Sequence, residues 1–291
     1  MPAEKSARRR GVLLVLAATV LWSLAGLFAR LVAHLDVWTV LGWRALLGSA
    51  SISVVGLVEW RRGRLDNPFA FGRLSPVIAL LAMVAISAYA ASVMTTTIAD
   101  VMIIYATLPF VAAAIGYAVN REPVSSRTLV ASVAALAGVV VMVAAGLGSG
   151  RLLGQALSAL MTIAFAGMVV LQRRQPGASM IAINAIGALG SGLFGLAISP
   201  HVAISLYDFA ILFTFGLTTI GLAFVLFMEG AKFIPSAEAG LISLLDVVLG
   251  PIWVFLAFGE NPGELTLVGG AIVLGAAVWR IAPDLSQEQV V

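Results

Sequence analysis

Long apolar runs separated by short polar turns repeat along the whole chain. Ten can be placed, near 11–33, 37–60, 75–97, 100–119, 127–147, 152–172, 179–199, 206–230, 237–258 and 265–282. Each approaches the ~20 residues that a helix needs to cross ~30 Å of hydrocarbon. Helices are the expected element, because a helix satisfies its own backbone hydrogen bonds where no water is available. The least marked turn is at Ile98–Ala99, signalled only by Thr95, Thr96, Thr97 and Asp100. After Pro283 the chain is short and polar.

The runs are related to one another. Residues 99–140 align without a gap on 237–278, and eight of the 42 pairs are identical: Ala99/Ala237, Ile104/Ile242, Glu122/Glu260, Thr128/Thr266, Leu129/Leu267, Val130/Val268, Leu136/Leu274 and Val140/Val278. Asp100/Glu238 keeps an acid at the same spacing of 138 residues. The chain therefore reads as a duplicated half, 1–148 and 149–291, with five helices in each. A half with an odd number of spans starts and ends on opposite sides of a membrane, so the second copy is expected upside down.

Charge supports that reading. With the N-terminus inside, the inner segments hold fourteen basic residues: Lys5, Arg8, Arg9, Arg10, Arg61, Arg62, Arg64, Arg73, Arg121, Arg127, Arg173, Arg174, Lys232 and Arg280. The outer segments hold two, Arg30 and Arg151, while Arg44 lies within a span. The excess of Lys and Arg on the cytoplasmic side predicts that both termini are cytoplasmic. The turn of the first hairpin carries Arg121 and Arg127; its copy, expected outside, has Gly259 and Leu265 instead.

Composition narrows the class. The 291 residues are 61% apolar and 11% charged, with a mean hydropathy of +1.06. Soluble domains run at roughly 45–50% apolar and about 25% charged, so the excess must face lipid or other spans. The absence of cysteine excludes disulfides and thiolate metal sites. A pI of 9.7 does not mark a nucleic-acid binder, because the arginines sit in short loops and form no single basic face. The apolar run after the basic stretch at 1–10 is too long for a cleavable signal, and reads as an uncleaved first span. There is no Walker loop and no Gly-x-Ser-x-Gly elbow, and His34 and His201 lack a metal-protease spacing. No cofactor or metal is expected. The expected partners are the lipid bilayer and small-molecule substrates. Ten helices suffice for one pathway, and either a monomer or a homodimer is compatible.

Several local patterns resemble the drug/metabolite transporter superfamily, in its EamA-type branch of ten helices. They are Trp22-Ser23 in the first span, Leu108-Pro109 followed thirteen residues later by Glu122-Pro123, and Glu260 followed by Leu267-Val268-Gly269-Gly270. Within the superfamily the chain looks most like the aromatic amino-acid exporters. The resemblance implies a secondary exporter of amino acids or other metabolites, or of drugs, in a bacterial inner membrane, with a central cavity between the halves. One departure is Val247, where the family commonly has proline; Pro251 follows one turn later.

Ionisable groups inside spans are costly and so become functional candidates. Asp246, mid-span in run nine, can bind a proton or a substrate ammonium; alternatively it is an acid hydrogen-bonded to a neighbouring helix. Arg44 can grip a substrate carboxylate, or its stem can snorkel outward to Asp36, Asp100 or Asp208. Trp22, Tyr89, Tyr105, Phe165 and Phe224 lie well inside spans and offer flat apolar surface to a cavity or to helix packing. Trp22 and Phe165 occupy like positions 143 residues apart, and Ser243 is the repeat mate of Tyr105. Asn184 is a further polar group wanting a partner, and Pro109 and Pro251 are candidate helix kinks. Gly187, Ser191 and Gly195 form a small-residue face suited to close helix contact. An intramembrane enzyme would have only Asp246 with Asp208, at different depths, as an acid pair. A channel is the other alternative class.

Overall fold

The computed structural model describes residues 2–288 apart from 64–66, 68–69, 122–125, 147–149, 173, 176, 232, 235–238, 240–241 and 244. Glu122-Pro123, Arg64, Arg173, Lys232 and Ala237 thus lie outside the described residues. The helices are α1 (Pro2–Ser23), α2 (Ala25–Leu31), α3 (Val37–Arg61), α4 (Ser75–Thr95), α5 (Ile98–Tyr105), α6 (Leu108–Asn120), α7 (Ser126–Gly146), α8 (Leu152–Gln172), α9 (Met180–Ile198), α10 (Leu206–Gly216), α11 (Ala223–Gly230), α12 (Leu245–Phe258) and α13 (Glu264–Glu288). A π-helical segment, Leu217–Leu222, joins α10 to α11.

These helices make ten spans. α1 and α2 together form the first, α5 and α6 the fourth, and α10, the π segment and α11 the eighth. Seven are long and apolar enough to cross a membrane; α7, α12 and α13 carry shorter apolar stretches of 10–17 residues. The last helix continues past the expected end at 282 to Glu288.

Two spans are broken where a single helix was expected. In the first, Leu24 interrupts the run, and the Ser23 hydroxyl turns back to the Val20 carbonyl at 2.8 Å. In the fourth, α5 ends at Tyr105 and α6 begins at Leu108. Pro109 sits in the first turn of α6, where its missing N–H is tolerated, so it follows a break instead of bending a continuous helix. Pro251 does lie inside a continuous helix, α12.

The spans pair across the two halves. The first packs on the eighth, the second on the seventh, the third on the sixth, the fourth on the ninth and the fifth on the tenth. Adding or subtracting five from every number returns the same set, which is the signature of two halves related by a pseudo-two-fold axis. The turns repeat as well. Arg121 ends α6 in the left-handed region at φ 56°, donating its N–H to the Tyr117 carbonyl at 3.1 Å. Gly259 ends α12 at φ 68°, donating to the Phe255 carbonyl at 2.8 Å. Both the turn residues and their acceptors are 138 positions apart. Glycine takes this conformation freely, whereas arginine adopts it at a cost.

Small residues let the backbones approach. Gly187 and Ser191 of α9 face α4, with Ser191 bonding Ser87 Oγ and the Met83 carbonyl, while Gly195 meets Gly42 and Trp38 of α3. Gly216, at the end of α10, is packed against backbone as well. A Cβ there would lie 2.7 Å from the Arg44 carbonyl oxygen and 2.8 Å from the Gly48 nitrogen. Since backbone cannot rotate away, Gly216→Ala should destabilise the protein by about 1–3 kcal/mol. Gly275 in α13 has nothing within 4 Å of that position, so Gly275→Ala should be neutral or mildly stabilising. Thermal unfolding of the two variants in detergent checks the contrast.

Candidate functional site

Packing of the spans brings six of the predicted residues into one connected group. Arg44, on α3, is 6% exposed, and its guanidinium carbon lies 4.3 Å from the Phe215 ring centroid and 5.2 Å from that of Tyr89. Both rings present a negative π face to the cation. Its Nη2 donates to Thr219 Oγ1 at 3.4 Å, and its Nε and Nη1 have no partner among the described residues. None of the acids to which it could have snorkelled is turned to it. Asp36 caps α3 through Trp38 and Thr39, Asp100 is held by Thr96, Arg151, Gln155 and Thr266, and Asp208 meets His34 and Ser205.

Asp246 lies on α12 and is 9% exposed. Its Oδ1 has no partner among the described residues. The carboxyl is within electrostatic reach of Tyr89 and Tyr105, and Tyr89 is also within reach of Arg44. Tyr89 is therefore within reach of both the cation and the acid. Tyr105 meets Phe165 edge-on, with centroids 6.1 Å apart. Unpaired polar groups in such surroundings cost a folded protein stability.

The π segment completes the group, and it was not foreseen. Its pitch passes the Ala223 N–H to the Thr218 carbonyl, five residues back. The neighbouring Thr219 carbonyl accepts the indole N–H of Trp22 at 2.9 Å, and the Thr219 hydroxyl reaches Arg44 while donating to the Phe215 carbonyl at 2.7 Å. One residue thus couples Trp22 to Arg44. The sequence signal is the pair Thr218-Thr219 before Gly221: hydroxyls that bond carbonyls one turn back loosen a helix. Such π insertions recur at functional sites.

The other candidates are placed less centrally. Asn184 donates to the Met180 carbonyl of its own helix at 2.9 Å and Ser243 to the Ala239 carbonyl four residues back at 2.9 Å, so both bond locally. Phe224 is half-buried on α11. Trp22 packs on Phe227, 5.2 Å between centroids. Pro109 has no N–H to donate to the Tyr105 carbonyl, and Pro251 has none for Val247. Among the described residues no cluster of His, Cys, Asp and Glu could hold a metal ion.

A family model described as the EamA-like transporter family matches residues 9–144 and again residues 152–281. One solved crystal structure, described no further than as that of a protein, has a TM-score of 0.66 to this chain at 17% identity. The match covers 94% of this chain and 97% of the other, and it shows a shared fold. No curated protein matches.

Proposed function

Because the chain belongs to the EamA-like transporter family, a family of multi-pass membrane proteins built from two repeats, we propose that it is a secondary transporter exporting amino acids and related small metabolites. The transport route runs between the inverted halves, 1–148 and 149–291, and alternating access carries the substrate. Both termini are cytoplasmic, in agreement with fourteen basic residues on the inner segments against two on the outer. A bacterial inner membrane is the setting this implies.

The observation that carries the substrate class is a pair of oppositely charged groups within reach of Tyr89, each with buried polar atoms that have no hydrogen-bond partner among the described residues. Arg44 keeps two donors free for a carboxylate, and Asp246 keeps an acceptor free for an ammonium. A zwitterion satisfies both at once, where a simple anion or a neutral drug leaves one of them bare. Trp22, Tyr89, Tyr105 and Phe165 add flat apolar surface, which favours large amphipathic amino acids over small polar ones. Asp246 also provides a place for a proton on the return step. A drug exporter of the same fold is the second reading; Arg44 argues against it, since neutral or cationic drugs would leave its Nε and Nη1 donors without an acceptor.

Reconstitution in liposomes with a panel of labelled amino acids, phenylalanine first, tests the proposal. Saturable flux of aromatic amino acids, competed by unlabelled phenylalanine but not by its decarboxylated amine, is expected. No saturable flux for any amino acid would sink it.

A further inference from the structure

The π segment decides which residues of the eighth span share a face. Phe215 and Thr219 stand against Arg44, and Phe227 stands against Trp22. In a regular helix, at ~100° per residue, Phe227 would lie ~120° around from Phe215, twelve positions earlier. The wide turn takes up one residue, and the offset falls to ~20°. The outer surface of the span shows the same shift. Leu217 and Leu222 are both turned outward, at 37% and 43% exposure, although their spacing would set them ~140° apart in a regular helix.

This register has a competitor with as many backbone bonds. The Ala223 N–H donates to the Thr218 carbonyl; in a regular turn it would donate to Thr219, four residues back. What differs is the Thr219 carbonyl. The wide turn releases it, and the indole N–H of Trp22 takes it at 2.9 Å. An indole nitrogen only donates, and leaving it unpaired away from water is costly. In the regular register Ala223 would claim that carbonyl, the indole would lose its acceptor, and the Phe215–Thr219 face would turn ~100° against Phe227. Phe227 on Trp22, and Phe215 with Thr219 on Arg44, would then exclude one another.

We propose that Trp22 is a positioning residue whose N–H holds the eighth span in the π register and thereby keeps Thr219 and Phe215 on Arg44. This rests on the transporter reading above, in which Arg44 meets the substrate carboxylate, and gives the Trp22 nitrogen a role beside that of its ring. Thr219 is the joint, with its carbonyl on Trp22 and its hydroxyl accepting from Arg44 at 3.4 Å.

The native chain has no cysteine, so an introduced pair reads the register without background. Leu217→Cys with Leu222→Cys puts two outward thiols one wide turn apart. Dibromobimane, which joins thiols about one helical turn (~5 Å) apart and fluoresces once both arms have reacted, should bridge them in detergent. Phe213→Cys with Leu217→Cys is the control, since the Leu217 N–H donates to the Phe213 carbonyl as in a regular turn. Trp22→Phe keeps a ring and loses the N–H. It should cut bridging of the 217/222 pair about tenfold and leave the control pair bridged. Adding Ala223→Pro should restore bridging, because proline has no N–H for the Thr219 carbonyl and its ring clashes with that carbonyl in a regular turn. In liposomes Trp22→Phe should raise the KM for amino acids about threefold to tenfold, with kcat changed less. Unchanged bridging with Trp22→Phe, loss of bridging in the control pair, no return with Ala223→Pro, or lost bridging with a native KM would each overturn the proposal. Bridging needs no substrate, so the expected bridging pattern without any flux would count against the amino-acid reading alone.

Discussion

Arg44→Gln should raise the KM for amino acids by about tenfold to hundredfold while leaving the protein as stable as before, or more so. A charge-assisted hydrogen bond contributes about 1.5–3 kcal/mol, which sets that range. The stability half of the expectation separates a binding residue from a structural one. In the folded protein Arg44 has two buried donors without partners, held by two aromatic rings and one long hydrogen bond to Thr219. Removing such a charge removes a desolvation cost and loses little packing. Arg30→Gln should behave in the opposite way in unfolding experiments, since it breaks a two-armed pair and leaves Glu260 unmatched. Arg44→Lys keeps the charge and gives up the planar fork, and should fall between glutamine and the native residue in KM. Flux assays and thermal unfolding on the same preparations check both halves.

Asp246→Asn should cut transport at least about tenfold and remove the response of flux to an imposed pH gradient. The acid is buried on α12, with one oxygen lacking a partner among the described residues and with Tyr89 and Tyr105 within electrostatic reach. In the proposed cycle it holds the substrate ammonium on the outward step and a proton on the return. Asparagine fills the same volume and keeps a hydrogen-bonding oxygen, but it cannot exchange a proton. A pH gradient should then drive uphill accumulation by the native protein and only downhill exchange by the variant. A variant with the native pH profile would remove the proton role and leave Asp246 as a substrate contact alone.

The spans were legible because lipid imposes a severe rule: an apolar stretch of about twenty residues with its own backbone satisfied has few alternatives to a helix. The repeat was legible for a related reason, since Glu122 and Glu260 sit in polar turns where a charge is conspicuous. The breaks were not. Ala106 and Thr107 sit in a run as apolar as any other, and the interruption depends on Pro109 docking as the start of a new helix. The π segment is equally local, yet what makes it matter is Trp22, 197 positions away. The central residues could be named one by one, as charges and rings in the wrong solvent. Their company could not. That Arg44 stands between Tyr89 and Phe215 depends on the close approach of Gly216 to the α3 backbone, a contact that no periodicity announces. Sequence places Arg30 in an outer segment and Asp100 at a turn, but not their pairing, because their partners lie on spans distant in sequence.

Counterflow tests alternating access most directly. Proteoliposomes loaded with excess unlabelled phenylalanine are diluted into a trace of labelled phenylalanine, with no pH gradient. A carrier that exposes one site to each side in turn accumulates label transiently above equilibrium, then loses it as the unlabelled pool runs down. That overshoot is the predicted result. Label that rises only to equilibrium, at a rate proportional to its gradient and indifferent to the internal load, would mark an open pore and contradict it.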